Sequence, residues 1–255
     1  MAAILNLLFA ALVFADKPIN VWRWSLIVGF FVFLTGSRSS VVAHCLLILV
    51  YVYKHSKSKV NFVVTSGCIA GSLVAILAAV PNTITARSAD LFTIQNVDMI
   101  RDVYNSIPVD RQFSDVSEGG AQEDSPEGVD LSWYERGYKW TLVTKTMLAQ
   151  SWFIWILGVG PGGIGIALDG GWLRILVETG IVGTAAFLFL LRKISQLSAA
   201  CSMAVLGLAL NMFMIDSHLA YKVMAFLFLL TGVYVQRNLG RRASGNSIRD
   251  ELYSA

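Results

Sequence analysis

The sequence predicts an all-α, polytopic integral membrane protein with about seven transmembrane helices, a re-entrant or interfacial helix and a large extracytoplasmic loop. Three observations carry that reading. Of 255 residues, 55% are apolar and only 15% charged. Apolar runs fall at 2–15, 22–36, 40–53, 62–80, 141–158, 172–191, 198–215 and 219–236, at or near the ~20 residues a helix needs to cross ~30 Å of hydrocarbon. The runs are continuous rather than alternating, which argues against a membrane barrel, and in lipid only helices and closed barrels satisfy their own backbone.

The first four runs end at successive polar marks: Lys17 and Arg23, then Thr35 to Ser40, then Lys54 to Lys59, then Pro81-Asn82. A polar insert follows, holding 11 of the 17 acidic residues between Asp90 and Glu135. The chain thus divides into N-terminal spans (1–81), an extracytoplasmic acidic loop (82–140), a re-entrant or interfacial segment with a glycine-rich bend (141–171), C-terminal spans (172–236) and a cytoplasmic tail (237–255). The tail is polar and reads as disordered. Cys45, Cys68 and Cys201 all lie inside apolar runs, as small buried residues do, and suggest no disulfide framework.

Lysine and arginine in short loops favour the cytoplasm. Placing Lys54, Lys57 and Lys59 there puts the N-terminus, Arg38 and the acidic loop outside. If 141–158 crossed fully, Arg192-Lys193 and the tail arginines would also lie outside, against the bias. A re-entrant 141–158 restores both clusters to the cytoplasm. Trp140, Val143, Met147 and Ser151 share one spacing, whereas Lys139, Thr141, Lys145 and Thr146 interrupt any lipid-facing surface. The bend Gly158-Val159-Gly160-Pro161-Gly162-Gly163 lets such a segment return.

This topology gathers Arg38, Arg136, Asp169 and Arg174 at one outer face. Charges at a membrane boundary are costly and point to function, although each has a plainer role. Arg38 can snorkel from a span end, and Arg136 can pair with Glu135 on the surface. Asp169 can cap the helix that starts near Trp172. Arg174 and Glu178 stand four residues apart, so a helix pairs them. Two arginines on one face suit phosphate or pyrophosphate oxygens. His218 reads as a satisfied residue of an outer turn. There is no metal-ligand spacing, P-loop, dinucleotide fingerprint or serine-nucleophile elbow, so no cofactor and no nucleic-acid partner is expected.

Four segments in this order resemble the C-terminal half of the bacterial O-antigen ligase and polymerase superfamily, which are membrane glycosyltransferases of the GT-C kind. They are Thr35-Gly36-Ser37-Arg38-Ser39, Arg136 with Trp140, Ile156 to Gly162, and Trp172-Leu173 leading to Val177-Glu178-Thr179-Gly180-Ile181-Val182-Gly183. The resemblance spans roughly residues 21–236. It implies metal-independent transfer of a glycan from undecaprenyl diphosphate at the outer face of the bacterial inner membrane. Arg38 and Arg136 would hold the donor diphosphate and stabilise the leaving group, with Arg174 and Glu178 in support.

Ligases of this superfamily carry a histidine nine residues before the span's glutamate, where this chain has Asp169. That departure favours a polymerase of O-antigen, capsule or exopolysaccharide repeat units, with Asp169 as the general base. The expected partners are the lipid-linked oligosaccharide, the bilayer and a chain-length regulator. Family members usually carry ten or more spans, so the chain can also be a fragment. The alternatives are a ligase onto lipid A-core, a polysaccharide-lipid transporter, or a non-catalytic membrane subunit.

Overall fold

The structure, a computed structural model, describes residues 1–14, 20–35, 37–56, 58, 60–68, 71, 101–102, 104–105, 131–164, 168–213, 215–216 and 218–253, with the side chains of 38–39, 131–133 and 241–253 left out of the description. Most of the expected fourth span and of the acidic loop lie outside these residues. The described residues are all-α and contain no strand. The principal helices are α1 (Ala2–Val13), α2 (Val21–Leu34), α3 (Arg38–His55), α4 (Leu131–Ala149), α5 (Trp152–Leu157), α6 (Gly171–Ser195), α7 (Ala199–Asn211) and α8 (Tyr221–Tyr253).

Local chemistry sets several of these starts. The Asn20 side chain accepts from Arg23 N at 3.1 Å, Ser37 Oγ from Ser40 N at 3.4 Å and Ser198 Oγ from Cys201 N at 3.0 Å. Each satisfies an N–H that the first turn cannot pair internally. Lys54 and His55 occupy the last turn of α3, where positive charge complements the helix dipole.

The main core joins α1, α2, α3, α6, α7 and α8 through Leu7, Phe9, Val32, Leu47, Leu208 and Leu227, all fully buried. A polar chain crosses it. Asn6 Nδ2 donates to Ser40 O at 2.9 Å, and Ser40 Oγ donates to Asn211 Oδ1 at 2.8 Å. The His44 ring lies 3.2 Å from both Asn6 Oδ1 and Ser25 O. Such bonds are worth only about 1 kcal/mol each net, but leaving any partner unpaired costs more, so they fix register. They also fix direction: α1, α3 and α8 run one way, α2 and α7 the other. The start of α3 therefore lies beside the end of α7, and the end of α3 beside the start of α7.

A second core packs α4 against the bend and the first half of α6, through Leu142, Val143, Met147, Ile164, Leu168 and Val177. Helix α6 is the wall between the two cores. Ile175 faces the bundle, Leu173, Leu176 and Val177 face α4, and Arg174 and Glu178 are left for a third side.

Helix α6 is also broken. Gly180 has φ 65° and ψ −168° inside it. The Trp172 and Phe187 rings meet at 6.2 Å, although residues fifteen apart on one straight helix stand about 22 Å apart. The chain must therefore fold sharply at Gly180. The expected uninterrupted span over 172–191 is two half-helices.

By length and composition two helices can cross a membrane, Gly171–Ser195 and Tyr221–Gly240, and the break at Gly180 falls in the first. Four other apolar helices are 10–17 residues long. The tail expected to be disordered instead continues α8 as far as Tyr253; no Pro interrupts it after Tyr221. Of the cysteines, Cys201 is buried and Cys45 half-buried, but Cys68 is exposed and all three are free.

Candidate functional site

The site begins with the glycine bend. Helix α5 ends at Gly158, and Val159 N and Gly160 N then donate to Val177 O and Glu178 O at 2.9 and 3.0 Å. The fold at Gly180 deprives those carbonyls of their helical donors, and the bend supplies replacements. Broken backbone is tolerated among apolar residues only when its polar groups are paired in this way.

From the bend the chain returns to the start of α6 beside α4. Trp140 Nε1 donates to Leu168 O at 2.9 Å, so the excursion between them opens and closes at the same level. Arg136, one turn before Trp140, faces Asp169 there, with Nε 3.8 Å from Oδ2. That is an ion-pair distance but too long for a hydrogen bond. Arg136 Nε is buried without a hydrogen-bond partner, while the two side chains are 27% and 42% exposed. The mouth of the site thus presents an under-used guanidinium N–H beside an accessible carboxylate.

Beneath it lies a charge cluster. Arg174 Nε donates to Glu178 Oε1 at 2.9 Å and its Nη1 to Asp216 Oδ2 at 3.0 Å. Asp216 also accepts from Leu168 N at 3.2 Å and Gly170 N at 3.1 Å. Glu178 accepts from Gly162 N at 3.3 Å. One arginine and two carboxylates therefore fasten both ends of the returning loop to α6.

Two expectations change. Asp169 does not cap α6: Gly170 occupies that position without a side-chain bond, and Asp169 sits at φ 52°, left-handed and uncommon for a non-glycine residue. Asp216, two residues before His218 and not singled out in the sequence, holds the Leu168 and Gly170 N–H groups instead. The signal was present, because an acidic residue between two apolar runs is as costly as Arg174. Nor is His218 satisfied: its Nδ1 is buried without a partner. Lys145, one of the residues expected to interrupt a lipid-facing surface, is buried, donates to Tyr104 O and lies 4.3 Å from that ring's centre.

Arg174 and Glu178 pair as their spacing predicts. Arg38 is the first residue of α3, two residues before the Ser40 that bonds Asn211 at the end of α7. Trp172 N donates to Met212 O at 3.3 Å, so the start of α6 meets the same end. The backbone at Arg38 therefore lies at the end of the bundle that holds Asp169 and Arg174; its side chain lies outside the described residues. Among the described residues no three His, Cys, Asp or Glu side chains converge as metal ligands. Compared with known proteins, the chain matches no family model, no curated sequence and no solved structure.

Burial holds the His218 imidazole below the ordinary histidine range, reinforced by Arg174 and opposed by Asp216 and Glu178. The folded state therefore prefers neutral His218. Its contribution to stability is intact above about pH 6.5 and is lost as pH falls below that value. The thermal midpoint of the wild type should consequently drop further between about pH 7 and 5 than that of His218→Phe. Equal drops would remove His218 from the account.

Proposed function

We propose that the chain is a multi-pass protein of the bacterial inner membrane, of the O-antigen ligase and polymerase superfamily. It polymerises undecaprenyl-diphosphate-linked repeat units into a surface polysaccharide. The observation that carries the reading is Arg136, a buried guanidinium N–H without a hydrogen-bond acceptor, 3.8 Å from Asp169 and at the bundle end where α3 starts with Arg38.

In this mechanism the donor diphosphate lies between Arg38 and Arg136. Charge grows on the departing diphosphate as the glycosidic C–O bond breaks, and fixed cations that match its oxygens lower the barrier. Asp169 takes the proton from the acceptor hydroxyl as that oxygen attacks the anomeric carbon. A diphosphate competes with Asp169 for the same guanidinium, so donor binding frees the carboxylate for its role as base. Arg174, Glu178 and Asp216 hold the loop that carries Asp169. Aspartate in place of histidine nine residues before Glu178 favours polymerase over ligase.

In the same reading about seven crossings put Arg38, Arg136, Asp169 and Arg174 at the outer face and the end of α3 in the cytoplasm. The 12-residue α1 and 14-residue α2 are short for a ~30 Å hydrocarbon core, which a locally thinned bilayer accommodates. The test is the ladder of glycan lengths made in cells. Arg38→Ala and Arg136→Ala should each collapse it to single repeat units at unchanged protein level, since losing one such donor slows chemistry about 10²–10³-fold. Unchanged ladders from both variants would sink the proposal.

A further inference from the structure

The end of the bundle away from Asp169 has its own chemistry. Asn238 Nδ2 donates to Leu197 O at 3.3 Å, which brings the end of α6 and the middle of α8 together at the start of α7. Arg192, Lys193 and Arg237 gather there, and Lys54 and His55 end α3 at the same level. Through Gly240, the described residues at this end include no Asp or Glu; on α8 the next carboxylates are Asp250 and Glu251. A cleft of about 400 Å³ opens here, lined by Val13, Phe14, Lys54, His55 and Ala199.

Its lining is two-sided. Val13, Phe14 and Ala199 give an apolar floor, whereas Lys54 and His55 give a polar rim. Lys54 Nζ lies 5.6 Å from the Phe14 ring centre, so the ammonium is held at the cleft rather than swung away. His55 Nδ1 is 2.9 Å from Tyr51 O; a carbonyl only accepts, so the proton is on Nδ1. The His55 ring stacks on Tyr51 at 4.1 Å, which fixes its orientation. The amino end of α7, at Ala199, adds partial positive charge.

We propose that this cleft binds the headgroup of an anionic phospholipid of the inner leaflet. The phosphate meets Lys54 and the start of α7, and the first apolar carbons lie over Val13 and Phe14. An anion without an apolar part would leave that floor wet, which is why a lipid is preferred to free phosphate. The inference rests on the membrane reading given above, but not on the glycosyltransferase chemistry.

The test uses the full chain in phosphatidylcholine nanodiscs containing increasing phosphatidylglycerol, read as thermal midpoint. The wild-type midpoint should rise and saturate. Lys54→Gln should raise the half-saturating phosphatidylglycerol fraction about fivefold, the usual effect of one basic residue at an anionic surface. Arg192→Gln, which removes a charge at the same end but outside the cleft, should leave it unchanged. Lys54 is exposed, so its loss is compatible with folding. Equal effects of the two variants, or none from either, would overturn the site in favour of diffuse attraction. An equal rise with inorganic phosphate in pure phosphatidylcholine would overturn the lipid as its occupant. Release of the chain from cell membranes by alkaline carbonate would instead defeat the membrane reading itself.

Discussion

Arg174→Ala is expected to destabilise the protein by about 3–5 kcal/mol, the cost of stranding buried charge. Arg174 is 12% exposed and its partners Glu178 and Asp216 are 7% and 13% exposed. Without the guanidinium, the two carboxylates keep, among the described residues, the N–H groups of Gly162, Leu168 and Gly170 to offset their desolvation. Arg174→Lys should rescue little, because a single ammonium cannot reproduce a planar fork that bonds Glu178 through Nε and Asp216 through Nη1. The triple variant Arg174→Met, Glu178→Gln, Asp216→Asn should regain most of the loss, since neutralising all three removes the buried charge that made the deletion costly. Chemical unfolding in detergent measures all four proteins. A loss below about 1 kcal/mol for Arg174→Ala would mean that the cluster behaves as a surface ion pair.

Gly180→Ala comes next. At φ 65° a side chain costs about 1–2 kcal/mol before any contact is considered. A Cβ there would also lie 2.2 Å from Ile156 O, and one at Gly158 would lie 2.3 Å from Glu178 O. Either clash forces α5 away from α6 and breaks the Val159–Val177 and Gly160–Glu178 hydrogen bonds. The total should be about 3–5 kcal/mol, at the upper end of single substitutions. Gly160 provides the control. Its φ is 94°, but a Cβ meets nothing within 4 Å, so Gly160→Ala should cost only the torsional 1–2 kcal/mol or so. Should Gly160→Ala prove as damaging as Gly180→Ala, close packing of the bend against α6 would not be what the glycines are for.

Much of this was legible in one dimension because it depends on local periodicity. The apolar runs foretold helices, and the four-residue spacing of Arg174 and Glu178 foretold their pair. The glycine bend announced backbone in conformations that other residues resist. Where the reading went wrong, the decisive partner lay far away in sequence. Asp169 stands where an N-cap would, yet Arg136, 33 positions upstream, takes its side chain, and Asp216, 46 positions beyond Gly170, takes over the loop's N–H groups. Nothing near Asp169 encodes either partner. The break at Gly180 was hidden for a related reason, since hydropathy averaged over 172–191 does not register one residue with positive φ. The helical tail was missed because polar composition says little about a helix extended from one already formed, whose costly first turn is in place.

The sequence by itself determined the helical class and the apolar runs, of which two form helices long enough to cross a membrane, because these follow from side-chain hydropathy and short-range spacing. Only the tertiary structure decided that Arg136 meets Asp169, that Asp216 completes the cluster around Arg174, and that α6 folds at Gly180 onto the bend. Those choices turn on which buried polar groups find partners, and in an apolar interior the cost of an unpaired one selects a single long-range arrangement.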